Sequence, residues 1–206
     1  IQIIVEPRRA QIVLGGDAVE VEVGQRAGAA VIVDDGKGGA ADRVGAAQPL
    51  GQALVGHAEA VTGLAFSPDG RTAYFSDSHP QVQQIWQAPL HDDGTLGQPA
   101  PFVDMRALPG RPDGAAIDVE GGYWICGNDA GQIHRFTPDG RLDRSIAIPT
   151  SKPAMCSFGG ADLDLLFITT IRPGQPQGDD IELGGAVFVT RPGTTGLAET
   201  AFSSPH

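Results

Sequence analysis

The chain has 206 residues, 41% hydrophobic and 19% charged, which fits one globular domain or slightly more. Disordered and collagen-like classes are excluded by that balance. The net charge of −11 argues against a nucleic-acid backbone or an anionic membrane surface as partner, because both select a basic patch. No run of ~18 apolar residues is present, so no membrane span is expected.

The first 60 residues differ from the rest. They hold 12 Ala and 10 Gly but none of the 12 aromatic residues, which all lie between Phe66 and Phe202. Large rings supply much of a core's buried area, so this segment predicts a poor core. Its β-branched runs IQIIV, QIVL, VEVEV (19–23) and VIV read as strands, and residues 34–52 read as a glycine-rich loop. The chain opens on Ile, with apolar residues before arginines, the reverse of a secretory signal. That start suggests a fragment or a processed product. Residues 1–60 are therefore set apart from 61–206 as an atypical segment, either out of frame or disordered.

Beyond residue 60 the pattern is short β-type runs separated by turn chemistry. GLAF (63–66), the turn Ser67-Pro68-Asp69-Gly70 and TAYFSDS (72–78) form a hairpin signal. Pro fixes φ, Asp accepts local backbone hydrogen bonds and Gly tolerates a left-handed φ. QQIWQAPL (83–90) follows as a further strand. The hairpin recurs as AAIDV (115–119), Glu120-Gly121-Gly122 and YWICG (123–127). QIHRFTPDG (132–140) repeats the Pro-Asp-Gly turn. A third copy is AMCSF (154–158), a turn near Gly159-Gly160 and LLFITT (165–170), and GGAVFVTRPG (184–193) closes the series.

Taking Leu64, Ala115 and Met155 as equivalent positions gives spacings of 51 and 40. A period of ~40–50 with about four strands per unit is the signature of a propeller blade. The expected fold is all-β, an incomplete β-propeller with about three recognisable blades.

The two cysteines, Cys126 and Cys156, form no CxxC motif. They read as buried free thiols in a reducing, cytoplasmic setting, with a disulfide as the alternative. The five histidines are scattered, without zinc-ligand spacing. No phosphate-binding glycine loop and no GxSxG elbow is present.

Four stretches in order resemble one family. TGLAFSPDGRTAYFSDS (62–78), PDGAAIDVEGGYWICGNDAGQIHRFTPDGRL (112–142), CSFGGADLDLLFITTIR (156–172) and GGAVFVTRPGTTGL (184–197) are similar to successive motifs of the senescence-marker-protein, gluconolactonase and regucalcin lactonases. This resemblance implies a six-bladed propeller, a divalent metal (Ca, Zn, Mn or Mg) at the channel mouth, and hydrolysis of a small-molecule sugar-type lactone. The family's metal ligands are an N-terminal Glu in a GEGPxW-like motif, the Asn opening NGLAxS, and the Asp of PDG. Asp113 matches the last. Thr62 stands at the Asn position, and residues 1–60 contain no GEGPxW. GHAEAVTGLAFSPDG (56–70) also looks like the opening of a WD repeat, but no Trp-Asp pair closes it.

Asp113 is thus expected as metal ligand and catalytic residue, and Thr62 as a weak ligand. A carboxylate there could hold a cation or act as general base. Asp77 and Asp118 read as structural aspartates that bind turn backbone. Asn128 and Asp129 follow the strand YWICG and read as a solvated loop, with a position facing the channel as the alternative. Asp179, Asp180 and Glu182 form an acidic loop that reads as a solvated face, with a cation as the alternative occupant. The alternative to a lactonase is a non-catalytic propeller binding module or an inactive fragment.

Overall fold

The computed structural model describes residues 61–198, together with the backbone of three strands near the N-terminus, β1 (Gln2–Glu6), β2 (Arg9–Leu14) and β3 (Asp17–Val21). These three pair antiparallel in the order β1-β2-β3. The strand expected at residues 31–33 and the loop expected at 34–52 lie outside the described residues.

From residue 61 onward the chain builds three antiparallel sheets in succession. The first contains β4 (Val61–Phe66), β5 (Thr72–Asp77), β6 (Gln84–Pro89) and β7 (Ala100–Asp104). The second contains β8 (Arg111–Ile117), β9 (Tyr123–Asn128), β10 (Gln132–Phe136) and β11 (Leu142–Ala147). The third contains β12 (Pro153–Gly159), β13 (Leu165–Thr170) and β14 (Val187–Thr190). Each is a meander of neighbouring strands, and β8 packs against both β4 and β12. Repeated meanders with their first strands side by side are successive propeller blades. A helical turn, α1 (Asp180–Leu183), interrupts the link from β13 to β14.

The turns form for the reasons read from sequence. Ser67 Oγ donates to Asp69 Oδ1 at 2.6 Å, and the Arg71 amide donates to the same oxygen at 3.0 Å. Gly70 takes φ +68°. Thr137 and Asp139 repeat the arrangement before Gly140 at φ +80°.

Strand β9 shows how a blade is held. All six of its residues are buried. Tyr123 and Ile125 join Tyr74, Ile85, Met105 and Phe136 in a cluster with the first sheet. Trp124 and Cys126 point the other way and join Cys156, Leu166, Ile168 and Phe188 of the third. Side chains alternate across a strand, so one strand fills two inter-blade cores. Cys126 and Cys156 lie in the same cluster as buried free thiols, and burial pushes the Cys126 thiol well above its ordinary range.

The first strand of each of the three sheets that follow residue 60 is irregular near its start. Pairing slips between Thr62 and Ala65 in β4, between Pro112 and Ala115 in β8, and between Pro153 and Met155 in β12. Such bulges re-aim side chains and recur beside functional sites. At the second slip, Gly114 lets β8 and β12 approach closely. A Cβ there would stand 2.5 Å from the Ala154 carbonyl oxygen and 2.7 Å from Met155 Cα. Backbone cannot yield cheaply, so Gly114→Ala is expected to destabilise the protein by about 1–3 kcal/mol. Urea unfolding checks this, and an unchanged midpoint would show that the strands do not need this contact.

Asp118 behaves as the sequence suggests. Its Oδ1 accepts the Glu120 and Gly122 amides at 3.0 and 2.8 Å. Its Oδ2 accepts Trp124 Nε1 at 2.8 Å and Arg135 Nε at 2.7 Å. Asp77 accepts the His79 amide at 2.8 Å.

Candidate active site

The slip in β8 brings Asp113 to the wall of a cavity of about 280 Å³. Ser78, Arg111, Asn128, Lys152 and Arg172 also line it. These residues come from all three sheets and their connections, at the side where β4, β8 and β12 begin. The volume is near the lower end for small-ligand sites.

Asn128 fixes Asp113. Its Nδ2 donates to Asp113 Oδ2 at 3.0 Å and to the Pro153 carbonyl at 3.1 Å. This ties β9 to both β8 and β12. Burial is the largest influence on Asp113 and raises its pKa above the ordinary carboxylate value, while the Asn128 hydrogen bond and Arg111 pull it back. A carboxylate held in this way is a stronger base than one in water.

Behind the cavity, Asp129 links two cations. Arg111 Nε donates to Asp129 Oδ2 at 2.8 Å, and Lys152 Nζ bonds Oδ1. Burial opposes ionisation of Asp129, but the hydrogen bonds from Lys152 and Arg111 outweigh it and hold the carboxyl below the usual range. Asp129 itself takes a left-handed φ of +75°. Arg111 also reaches the Ser78 carbonyl at 3.4 Å.

Thr62 stands beside this wall, on the other side of Pro112. Its hydroxyl donates to the Pro112 carbonyl at 3.3 Å and lies 2.8 Å from Ser76 Oγ. The described residues therefore offer a cation one carboxylate, whose Oδ2 already holds an N–H, and a Thr hydroxyl turned to a carbonyl. No group of three His, Cys, Asp or Glu side chains that could hold a metal occurs among them. Ca²⁺ wants ~6–8 oxygen donors with several carboxylates. By themselves the described residues do not fit a divalent metal.

Two expectations of solvated loops need correction. Asn128 is 5% exposed, because β12 packs over the end of β9 and supplies the Pro153 carbonyl. Asp180 is also buried, accepting the Ser151 amide at 2.9 Å and the Ser151 hydroxyl at 2.5 Å. It anchors α1 to the segment before β12. Asp179 and Glu182 stay exposed. Sequence reasoning singled out neither Lys152 nor Arg172. Both lie just outside strands, where no periodicity marks them.

Residues 27–172 match the family described as SMP-30/Gluconolactonase/LRE-like region. The chain belongs to this family. It is 40% identical over 172 residues to the 6-deoxy-6-sulfogluconolactonase of Pseudomonas putida, covering 82% of this chain and 58% of that protein. It is 32% identical to the L-arabinolactonase of Azospirillum brasilense, covering 68% and 46%. A solved structure titled as the calcium-binding protein regucalcin from Agrobacterium tumefaciens superposes with a TM-score of 0.57 at 28% identity, over 63% of this chain and 45% of that one. The chain thus spans about half the length of the curated relatives it matches. An incomplete propeller of the lactonase type, with three consecutive sheets, agrees with that share. Among the described residues no helix is long and apolar enough to cross a membrane.

Proposed function

We propose that the protein hydrolyses a sugar-type lactone in the Asp113 cavity. The observation that carries this is Asp113 itself, a half-buried carboxylate braced by Asn128 and facing three cationic side chains. Family membership supplies the reaction class: two relatives are named as a 6-deoxy-6-sulfogluconolactonase and an L-arabinolactonase.

In this reading Asp113 takes a proton from water as the water oxygen attacks the lactone carbonyl carbon. The tetrahedral oxyanion develops near the Arg111 and Lys152 cations, which stabilise it. On collapse the ring C–O bond breaks, the departing alkoxide regains the proton, and a hydroxy acid leaves. A bound divalent metal would polarise the carbonyl. Its donors beyond Asp113 would have to come from outside the described residues.

Hydrolysis of neutral and acidic aldonolactones, followed by pH-stat titration with and without added Ca²⁺, Zn²⁺, Mn²⁺ or Mg²⁺, tests the proposal. No turnover under any of these conditions would overturn it. The sparse donor set favours a second reading, a non-catalytic binding module. Calorimetric titration separates the two. Metal binding weaker than about millimolar is expected for the described site alone. Tight one-to-one binding that Asp113→Ala abolishes would instead show a complete metal centre.

A further inference from the structure

The cations of this protein are distributed unevenly. Nine Lys and Arg residues follow residue 60, and three of them, Arg111, Lys152 and Arg172, line the Asp113 cavity. Five of the other six are ion-paired elsewhere: Arg106, Arg135, Arg141, Arg144 and Arg191. In the cavity the pairing is short. Arg111 and Lys152 share the single carboxylate of Asp129. Arg172 has no carboxylate within salt-bridge range among the described residues, and its Nη2 donates to the Ile181 carbonyl at 2.9 Å instead.

Among the described residues that line the cavity or pair with its cations, three cations against Asp113 and Asp129 leave one positive charge, on a chain of net −11. Such an excess is unexpected if the ligand were neutral. A neutral lactone needs a base and one group to stabilise its oxyanion. The Arg111 and Lys152 side chains are 36% and 29% exposed, so their charges are partly withdrawn from water. Partly desolvated cations without full counter-charge favour an anion.

We infer that Arg111, Lys152 and Arg172 form an anion subsite, and that the lactone taken by this cavity carries an acidic group, a sulfonate or a carboxylate, besides its ring ester. The inference rests on the lactonase reading and adds a substrate class to it. Arg172 at the open rim and Lys152 in the segment before β12 are the specificity-determining residues. Arg111, tied to Asp129, holds the inner edge.

The test uses sugars that cannot be hydrolysed. Calorimetry compares 6-deoxy-6-sulfoglucose, glucuronate and glucose on the full chain. At least one of the two acidic sugars is expected to bind about tenfold more tightly than glucose. That advantage should shrink between ~0.02 and ~0.5 M salt. Whichever acidic sugar binds more tightly names the group, and equal binding of both still supports the subsite. Arg172→Gln and Lys152→Met should each remove most of the advantage. Arg191→Gln, which deletes a cation outside the cavity, should leave it intact. Arg172 is exposed, so its variant keeps the fold, checked by circular dichroism.

Glucose binding as tightly as both acidic sugars would overturn the inference, as would equal losses from Arg191→Gln and Arg172→Gln. Failure of the lactonase reading looks different: no lactone is opened while the acidic sugars still bind. Turnover of lactones with no preference for acidic ones overturns the subsite alone.

Discussion

Asp118→Ala is expected to lower stability by about 3–5 kcal/mol, the range for breaking a buried ion pair from one side. Asp118 is fully buried and Arg135, its partner at 2.7 Å, is 5% exposed. Removing the carboxylate leaves the guanidinium with Glu120 and Asp143 at its outer nitrogens and no acceptor at Nε. Trp124 Nε1 loses its acceptor as well, inside the cluster that joins the second and third sheets. The turn amides of Glu120 and Gly122 lose theirs. Urea denaturation followed by tryptophan fluorescence reads the loss, since Trp124 sits at the centre of it. Asp118→Asn should cost less, because its carbonyl can still accept from the turn. The double variant Asp118→Ala/Arg135→Met separates two roles. If the unpaired charge dominates, the second substitution recovers part of the loss. If the turn dominates, it recovers none. A single variant as stable as the parent would refute the whole account.

The same residues show why some parts of the fold are readable and others not. Strands β5 and β9 announce themselves because both of their faces are buried, and β5, β9 and β13 each follow a glycine-bearing turn, with explicit Pro, Asp and Gly chemistry before β5. β13 runs from Leu165 to Thr170, the bounds the sequence suggests. The outer strands β7 and β11 carry no such signal. β11 has five of its six residues exposed, so no apolar alternation marks it. Its place is set by pairing with β10. Asp113 was legible only through its resemblance to a family motif, since an Asp before Gly is also ordinary turn chemistry. Asn128 stands out in the sequence as a residue after the strand YWICG, but its burial was not legible. Its burial depends on β12, which is 25 residues further along and contributes the Pro153 carbonyl. The cations of the cavity are likewise gathered by topology: Arg111 opens β8, Lys152 precedes β12 and Arg172 follows β13.

Asp113→Asn should cut kcat/KM by about 10²- to 10⁴-fold for any lactone the protein opens, the usual share of a general base. Its effect on stability should have the opposite sign to that of Asp118. Burial raises the Asp113 pKa, so the folded protein binds this proton more tightly than the unfolded chain does. Stability therefore falls as pH rises from the ordinary carboxylate range through the raised value. At neutral pH the ionised Asp113 opposes folding, and a neutral amide of the same shape relieves that opposition. Asp113→Asn is expected to be inactive yet no less stable at pH 7, with its advantage vanishing in acid. The pH profile of the parent carries the same information. Its acid limb reports loss of the base and should lie above the ordinary carboxylate value of ~4. Asn128→Leu removes the hydrogen bond that favours the carboxylate, so the limb should move higher still. A purely structural Asn128 would lower stability and leave the limb where it was. An Asp113→Asn protein that unfolds more easily at pH 7 would assign Asp113 to the scaffold rather than the chemistry.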